Sequence, residues 1–221
     1  MVLLWSLSSL VERPALMTSS PQFGTPSVAV KPGEHICALY VGDSERDKVL
    51  LPYLREGLLA GDKCLCAIDE DESAEMLSNI GDSIDVPGCV ASQQLEVRTS
   101  TDPVLTPEGY SIDEIVAFWD SNVKAALDAG FPFVRLGAEA GWWMPQMPGL
   151  NAFFRYESEL NRFSGRYPQA ILCMYDLEQY SENIVLDLLR THPQVLMCGV
   201  LLENPYYLTP DAYLARFSRN G

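Results

Sequence analysis

The sequence predicts an α/β protein, specifically a three-layer α/β/α sandwich with a mostly parallel sheet. From Pro32 onward, short apolar runs alternate with longer amphipathic stretches, a pattern typical of repeated βαβ units. The apolar runs are hydrophobic at consecutive positions, as expected of parallel strands whose two faces are both buried. The chain has 221 residues, 48% of them hydrophobic, which is enough for one compact core. We therefore expect a single domain over 31–216.

The first half of the domain is predicted to contain three strands and two helices. Asp43 or Ser44 is the expected N-cap of the first helix, and Gly61 is its expected end. Pro52 either kinks this helix or moves its start downstream. The strands are expected at 35–41, 64–68 and 95–98, and the helices from 42 and over 72–80.

The second half begins with a loop over 99–109, which contains two prolines and a glycine and is long enough to act as a lid. Ser111 is the expected cap of the next helix, and Glu114 completes a capping box. Strands are expected at 131–138 and 170–175, helices over 150–160 and 184–189, and a sixth strand or a closing hairpin over 195–202.

The charge balance excludes several kinds of partner. Lys and Arg number 15 against 30 Asp and Glu, which gives a formal net charge of −15. Nucleic acid and anionic lipid both require Lys and Arg concentrated on one face, so we expect neither direct nucleic-acid binding nor membrane binding. No segment approaches the roughly 18 consecutive apolar residues that a membrane span requires.

Residues 1–30 are expected to form a poorly ordered leader. The apolar start is short, is broken by serines and has no Lys or Arg before it, which argues against a signal peptide. Met17 is an alternative start of the protein. The six cysteines lie mostly inside apolar runs, where a free thiol packs like a small hydrophobic group. We therefore expect a cytoplasmic location without disulfides.

The turn after the first strand, Val41 to Lys48, lacks the features of a nucleotide-binding loop. It has neither the glycine spacing of a dinucleotide fingerprint nor the Gly-Lys-Ser/Thr of a phosphate loop. Acidic side chains at the start of the helix would also repel a triphosphate. Ordinary nucleotide hydrolysis and dehydrogenase activity are therefore not expected, and no cofactor is predicted.

His35 and Cys37 are two residues apart, so their side chains share one face of the first strand, and Tyr40 lies at its end. An imidazole and a thiol together can hold a soft metal or contact a small polarisable ligand. In the structural alternative, Cys37 fills the core and His35 is a hydrogen-bonded residue at the strand edge. The residues alone favour this structural alternative.

Cys64 and Cys66 also share a face and, with His35 and Cys37, provide four zinc-ligand types. The two pairs belong to separate strands and form no Cys-x-x-Cys knuckle. We therefore predict no metal, while metal or redox sensing through these four residues stays an alternative.

The segment that leaves the fourth strand combines Arg135, Glu139 and two adjacent tryptophans, Trp142 and Trp143. One ion pair and a large aromatic surface would form a pocket wall at the carboxyl ends of the strands. A structural ion pair with packed tryptophans is an equally weighted alternative. Tyr175 and Asp176 at the end of the fifth strand, and His192 after the following helix, are expected near the same crevice.

Five segments together resemble the MEDS domain, the methanogen/methylotroph DcmR-type sensory domain of prokaryotic signalling proteins. They are Gly33 to Tyr40 with its His-x-Cys-x-x-Tyr pattern, Leu54 to Cys64, Arg135 to Trp142, Leu172 to Asp176, and Leu189 to Pro193 with Asn204 to Tyr207. The resemblance covers about residues 30–215. It implies a fold similar to the RecA/KaiC-like core without its phosphate loop, and a non-catalytic role in sensing simple hydrocarbon derivatives.

The resemblance also implies which residues bind the ligand. His35, Cys37 and Tyr40 correspond to the proposed sensing residues, and Glu139 and Trp142 to a Glu-x-x-Trp pattern. The full set expected to bind a small organic ligand is His35, Cys37, Tyr40, Arg135, Glu139, Trp142 and Tyr175.

DcmR-type regulators carry a DNA-binding helix-turn-helix, and other members carry kinase modules. This chain has room for neither, so we expect it to signal through a separate regulator or kinase, with a homo-oligomer as a further option. Three alternatives stay open: a vestigial nucleotide-binding enzyme with Glu139 as base, the metal or redox sensor described above, and a purely structural interaction module.

Overall fold

The computed structural model describes residues 29–81, 83–102, 105 and 111–217, with Glu72 described by its backbone alone. Most of the predicted leader, including Met17, lies outside these residues. The strands are β1 Glu34–Tyr40, β2 Lys63–Ile68, β3 Leu95–Thr99, β4 Val134–Glu139, β5 Gln169–Asp176, β6 Gln194–Met197 and β7 Val200–Glu203. The helices are α1 Gly42–Ala60, α2 Glu70–Asn79, α3 Val86–Ala91, α4 Ile112–Asp128, α5 Leu150–Ser164, α6 Glu182–Thr191 and α7 Pro210–Leu214.

One seven-stranded sheet organises the fold, in the order β3-β2-β4-β5-β1-β6-β7. Every neighbouring pair is parallel except β6 and β7. Parallel neighbours need crossover connections, which the helices provide. The predicted α/β sandwich with a mostly parallel sheet is confirmed. None of the described helices is long and apolar enough to cross a membrane.

The start of α1 differs from the prediction. Its N-cap is Val41, and neither Asp43 nor Ser44 caps it. Instead, the Val41 N–H donates to the Glu45 carboxylate at 3.0 Å, so an acid one turn downstream satisfies the helix end. Pro52 lies inside the helix, which continues through it. Gly61 ends the helix with φ +82°, as predicted.

The capping box of Ser111 and Glu114 at α4 is confirmed. Two short helices, α3 and α7, were not predicted, although each has a capping side chain: Asp85 accepts from the Gly88 N–H, and Thr209 accepts from the Ala212 N–H. Residues 195–202 form the hairpin rather than one strand. Its turn is made by Cys198 and Gly199, both at positive φ, as a two-residue hairpin turn requires.

The sheet separates two hydrophobic cores. Alternate side chains of β1 illustrate the division, since Cys37 points into one core and Ile36 into the other. We call the side covered by α4, α5, α6 and α7 the α5 face, and the side covered by α1 and α2 the α1 face. This division decides which of the predicted site residues can meet.

A buried ion pair ties β4 to the end of α1. Arg135 Nε donates to Asp62 Oδ2 at 2.9 Å, and its guanidinium lies 5.2 Å from the Tyr53 ring centre. The guanidinium also donates to the Tyr53 carbonyl at 3.2 Å. These contacts lie on the α1 face, and through them Arg135 holds helix α1 against the sheet.

Replacing Arg135 with Met should destabilise the fold by about 3–5 kcal/mol, because it leaves Asp62 buried without its partner. The double variant Asp62→Leu/Arg135→Met should recover part of this loss. Urea unfolding followed by circular dichroism measures both. The control is Lys124→Met, which removes an exposed pair with Asp128 and should cost less than about 0.5 kcal/mol. Equal losses for the Lys124 and Arg135 variants would show that the buried pair has no structural role.

Candidate functional site

Four side chains that are common metal ligands or proton carriers meet inside the α5 face. We call them the buried quartet: His35 on β1, Glu157 on α5, Cys173 on β5 and His192 at the end of α6. Their ligand atoms all lie within 4.8 Å of one another, and no member is more than 3% exposed. Four separate elements therefore bring these groups into one water-excluded position.

The geometry of the quartet centres on one carboxylate oxygen. Glu157 Oε2 lies 3.4 Å from His35 Nε2 and 3.4 Å from His192 Nε2. Cys173 Sγ lies 3.3 Å from His35 Nε2. The two imidazole rings approach each other with 4.1 Å between their centres.

Asn161 fixes the tautomer of His35. The Asn161 amide nitrogen donates to the carbonyls of Glu157, Ser158 and Thr191, which leaves its Oδ1 as the acceptor 3.1 Å from His35 Nδ1. His35 Nδ1 must therefore carry a proton. In the neutral ring, the lone pair of Nε2 then points into the quartet.

A backbone carbonyl does the same for His192. Its Nδ1 lies 2.8 Å from the Leu188 carbonyl oxygen, which can only accept, so Nδ1 carries the proton. The lone pair of Nε2 in the neutral ring faces Glu157 and the Tyr175 hydroxyl, which is 3.3 Å away. Both histidines are thus oriented by acceptors outside the quartet.

Burial and charge act on the quartet in opposite directions. Burial raises the pKa of Glu157, but the two imidazoles outweigh this effect and lower it to about 2. Burial, together with the neighbouring His192, lowers the pKa of His35. Burial raises the pKa of the Cys173 thiol well above its usual value, and the Glu157 charge adds to this.

A small apolar cavity borders the quartet on the same face of the sheet. Its volume is about 40 Å³, and Glu157 and Cys173 are part of its wall. A buried water needs at least about 10–15 Å³ of such space, so the cavity has room for about three water-sized groups. The other lining residues come from β2, β4, β5, α4 and α5 and include Leu136, Ala138, Ile171, Leu160 and Tyr156.

Tryptophans form another part of this cavity wall. Trp119 comes from α4, and Trp142 and Trp143 follow β4. The Trp143 indole donates to the Leu105 carbonyl at 2.8 Å, which anchors one point of the predicted 99–109 loop; most of that loop lies outside the described residues. The Trp142 indole N–H is buried and has no hydrogen-bond partner in the described part of the chain.

The turn after β1, where the resemblance implies a lost phosphate loop, is filled by the chain's own groups. The Gly42 N–H faces Asp176 Oδ1 at 3.4 Å, and the Val41 N–H is bound by Glu45. The Tyr40 hydroxyl donates to Glu139 Oε1 at 2.9 Å, and Arg46 lies 3.5 Å from the same oxygen. Burial raises the pKa of Glu139, although Tyr40 and Arg46 counteract it. The helix N-terminus thus already binds carboxylates.

The structure distributes the predicted ligand-binding residues over two faces. His35 belongs to the quartet, and Tyr175 contacts it. Cys37 is fully buried and lies opposite Cys173 in the pairing of β1 with β5, but it is not a member of the quartet. Glu139 and Trp142 are among the residues that line the cavity, but the Glu139 carboxylate accepts from Tyr40 on the α1 face.

Tyr40 and Arg135 instead make their hydrogen bonds on the α1 face, away from the quartet. That these residues bind a ligand stays a prediction. The alternative metal set of His35, Cys37, Cys64 and Cys66 is wrong, because Cys64 and Cys66 belong to the α1 core, with the sheet between them and His35.

The sequence analysis did not identify Glu157 or Asn161 as site residues, nor did it predict that Cys173 lies beside Glu157. A signal for Glu157 was available, because Phe153 and Leu160 are four residues before it and three after it, on the buried side of α5. An acid at such a position needs a buried partner.

Comparisons with known proteins agree with this description. The family model "MEthanogen/methylotroph, DcmR Sensory domain" matches residues 34–193. The transcriptional repressor DcmR of Methylorubrum extorquens is 29% identical over 162 residues, which are 72% of this chain and 58% of the repressor. The chain thus spans little more than half the length of that relative.

Two solved structures share the fold. The flagellar accessory protein FlaH of Methanocaldococcus jannaschii superposes with a TM-score of 0.51 and 9% identity, over 78% of this chain and 76% of FlaH. A KaiC-like protein of Pyrococcus horikoshii OT3 gives a TM-score of 0.56 and 9% identity, over 75% and 72%. The RecA/KaiC-like fold is confirmed. Because the family model covers most of the chain, the protein belongs to the MEDS family of sensory domains.

Proposed function

We propose that this chain senses a small organic molecule, which binds in the apolar cavity of the α5 face, and that it signals through a regulatory protein. The cavity is the observation that carries the proposal. It lies between the sheet and helices α4 and α5, and tryptophans form part of its wall. Membership of a sensory-domain family supports the same function.

The size and lining of the cavity indicate the class of ligand. About 40 Å³ suits a molecule of roughly three non-hydrogen atoms. Most of the wall is apolar, while the free Trp142 indole N–H offers a donor and Glu157 offers an acceptor. A one- or two-carbon compound with one polar or halogen substituent fits these contacts. A purely structural module would have no reason to keep this space unfilled.

The partner is proposed from the relative. DcmR is a transcriptional repressor, and this chain matches 58% of its length. We infer that ligand binding here is transmitted to a DNA-binding regulator or a kinase, because the acidic surface of the chain itself is unsuited to DNA. The six cysteines are free thiols, which supports a cytoplasmic setting.

The filled turn after β1 supports a non-catalytic role over the alternative of a vestigial nucleotide enzyme. Phosphate binding there would have to displace Glu45 and Asp176 from the backbone amides. It would also bring phosphate charge against Asp43 and Asp47.

A thermal-shift screen with methanol, methylamine and dichloromethane should identify at least one stabilising compound. At 100 times its Kd, a ligand that binds only the folded state adds about 2.7 kcal/mol, or about 5–10 °C in Tm for a domain of this size. Ala138→Val should abolish this shift, because it places two methyl groups in the cavity.

The matched control is Ala152→Val, which adds the same two methyl groups at a half-buried position of α5 that is not among the lining residues. It should keep the full ligand shift. The proposal fails if no compound raises Tm, or if the two valine variants respond to the compound equally.

Calorimetric titration with millimolar MgATP or MgGTP should give no binding heat, since the chain's own carboxylates occupy the amides at the start of α1. Saturable binding at these concentrations would instead favour the nucleotide-enzyme alternative. A KaiC-like protein with an intact phosphate loop provides the positive control.

A further inference from the structure

The buried quartet contains more hydrogen-bond acceptors than donors. The Nε2 lone pairs of His35 and His192 both face Glu157 Oε2, because Asn161 and the Leu188 carbonyl hold the two Nδ1 protons. Glu157 Oε2 is buried and makes no hydrogen bond of normal geometry within the described residues. The Cys173 S–H and the Tyr175 O–H can donate to His35 and His192, but Glu157 Oε2 has no donor unless a ring is protonated or a cation lies between these atoms.

The spacing of the quartet suits a tetrahedral metal. Metal bonds of about 2.0–2.1 Å to nitrogen and oxygen, and of about 2.3 Å to sulfur, separate neighbouring ligand atoms by roughly 3.3–3.6 Å. The separations here are 3.4 Å for each imidazole to the carboxylate and 3.3 Å for His35 to the Cys173 sulfur. The other three pairs lie within 4.8 Å of each other, so an ion at the centre would draw those atoms together.

The surroundings of the quartet resemble those of metal centres in general. Metal-bound histidines usually donate their second N–H to a carbonyl or carboxylate, which fixes the ring. Here Asn161 Oδ1 accepts from His35, and the Leu188 carbonyl accepts from His192. Both rings are therefore already oriented with Nε2 inward.

We propose that the buried quartet is a zinc site, in which Zn²⁺ binds His35 Nε2, His192 Nε2, Glu157 Oε2 and Cys173 Sγ. Two neutral imidazoles with a thiol, a carboxylate and no hard-ion cage suit Zn²⁺ among the divalent cations. Binding breaks the Cys173 S–H bond, and the proton leaves to solvent. The thiolate and the carboxylate then balance the two positive charges, so the buried centre is neutral.

The position of this site links it to the cavity. Glu157 and Cys173 belong both to the quartet and to the cavity wall. The ion would fasten β1, α5, β5 and α6 at one point and make that part of the wall rigid. The zinc proposal stands apart from the proposed function, because zinc content can be measured whether or not any organic compound binds.

Elemental analysis of the full chain, purified from zinc-supplemented cells, should give about one zinc per chain. Cys173→Ala should lower the content at least tenfold. The matched control is Cys37→Ala, since Cys37 is equally buried, neighbours Cys173 in register and lies outside the quartet. It should retain its zinc.

Cobalt substitution distinguishes metal bound at the quartet from metal bound by carboxylates on the protein surface, because only a cysteine ligand gives a thiolate-to-cobalt band. The Co²⁺-loaded wild-type protein and Cys37→Ala should show a thiolate-to-cobalt charge-transfer band, and Cys173→Ala should not. If Cys173→Ala does not fold, the band in the other two proteins decides the matter. Absence of zinc and of this band in the wild type overturns the proposal in favour of a proton shared by Glu157 and the histidines. Loss of both in Cys37→Ala alone overturns it in favour of a site that uses Cys37 instead of Cys173.

Asn161 is proposed as a positioning residue for this site. Asn161→Ala removes the acceptor for His35 and should weaken zinc affinity about 10–100-fold in competition with a chelator. Asn161→Asp also loses the amide donors to the three backbone carbonyls but keeps the acceptor, so it should bind zinc more tightly than Asn161→Ala. Equal affinities of the two variants would show that the acceptor does not orient His35.

Discussion

The carboxylate of Glu157, placed where water does not reach it, is the constraint on which the α5 face depends. A buried charge costs several kcal/mol unless opposite charge and hydrogen bonds surround it. Here His35 and His192 face it from two different elements, and each ring is held by a further acceptor. The positions of β1, α5 and α6 are therefore coupled through one group. A zinc ion in the quartet would strengthen this coupling and make the centre neutral.

The chain has the RecA/KaiC-like fold, and its own side chains fill the turn after β1. Glu45 and Asp176 satisfy the amides at the start of α1, and Tyr40 and Arg46 hold Glu139 beside them. The open space lies on the opposite side of the sheet, under α4 and α5. Fold alone does not fix function. In this protein, the internal contacts at one face and the cavity at the other are the observations behind our proposal of sensing rather than nucleotide chemistry.

Sequence periodicity located all the long elements, because a buried parallel strand and an amphipathic helix each leave a local pattern. The capping box at Ser111 and the helix end at Gly61 were equally local and were predicted correctly. Helices α3 and α7 were missed because five or six residues contain too little periodicity. The cap of α1 was predicted wrongly because the acceptor is Glu45, one turn inside the helix.

The sequence by itself determined the fold class, the family and the location of His35 and Cys37 on one face of β1. These follow from alternation along a strand and from ordered motifs, which are properties of neighbouring residues. Only the tertiary structure decided that His35 meets Glu157, Cys173 and His192, although His35 and His192 are 157 positions apart in the sequence. Only the structure placed Arg135 and Cys64 on the other face of the sheet, the α1 face. The physical reason is that the order of the strands and the packing of α5 on the sheet bring distant residues together. Neither the strand order nor the packing of α5 leaves a local signal in the sequence.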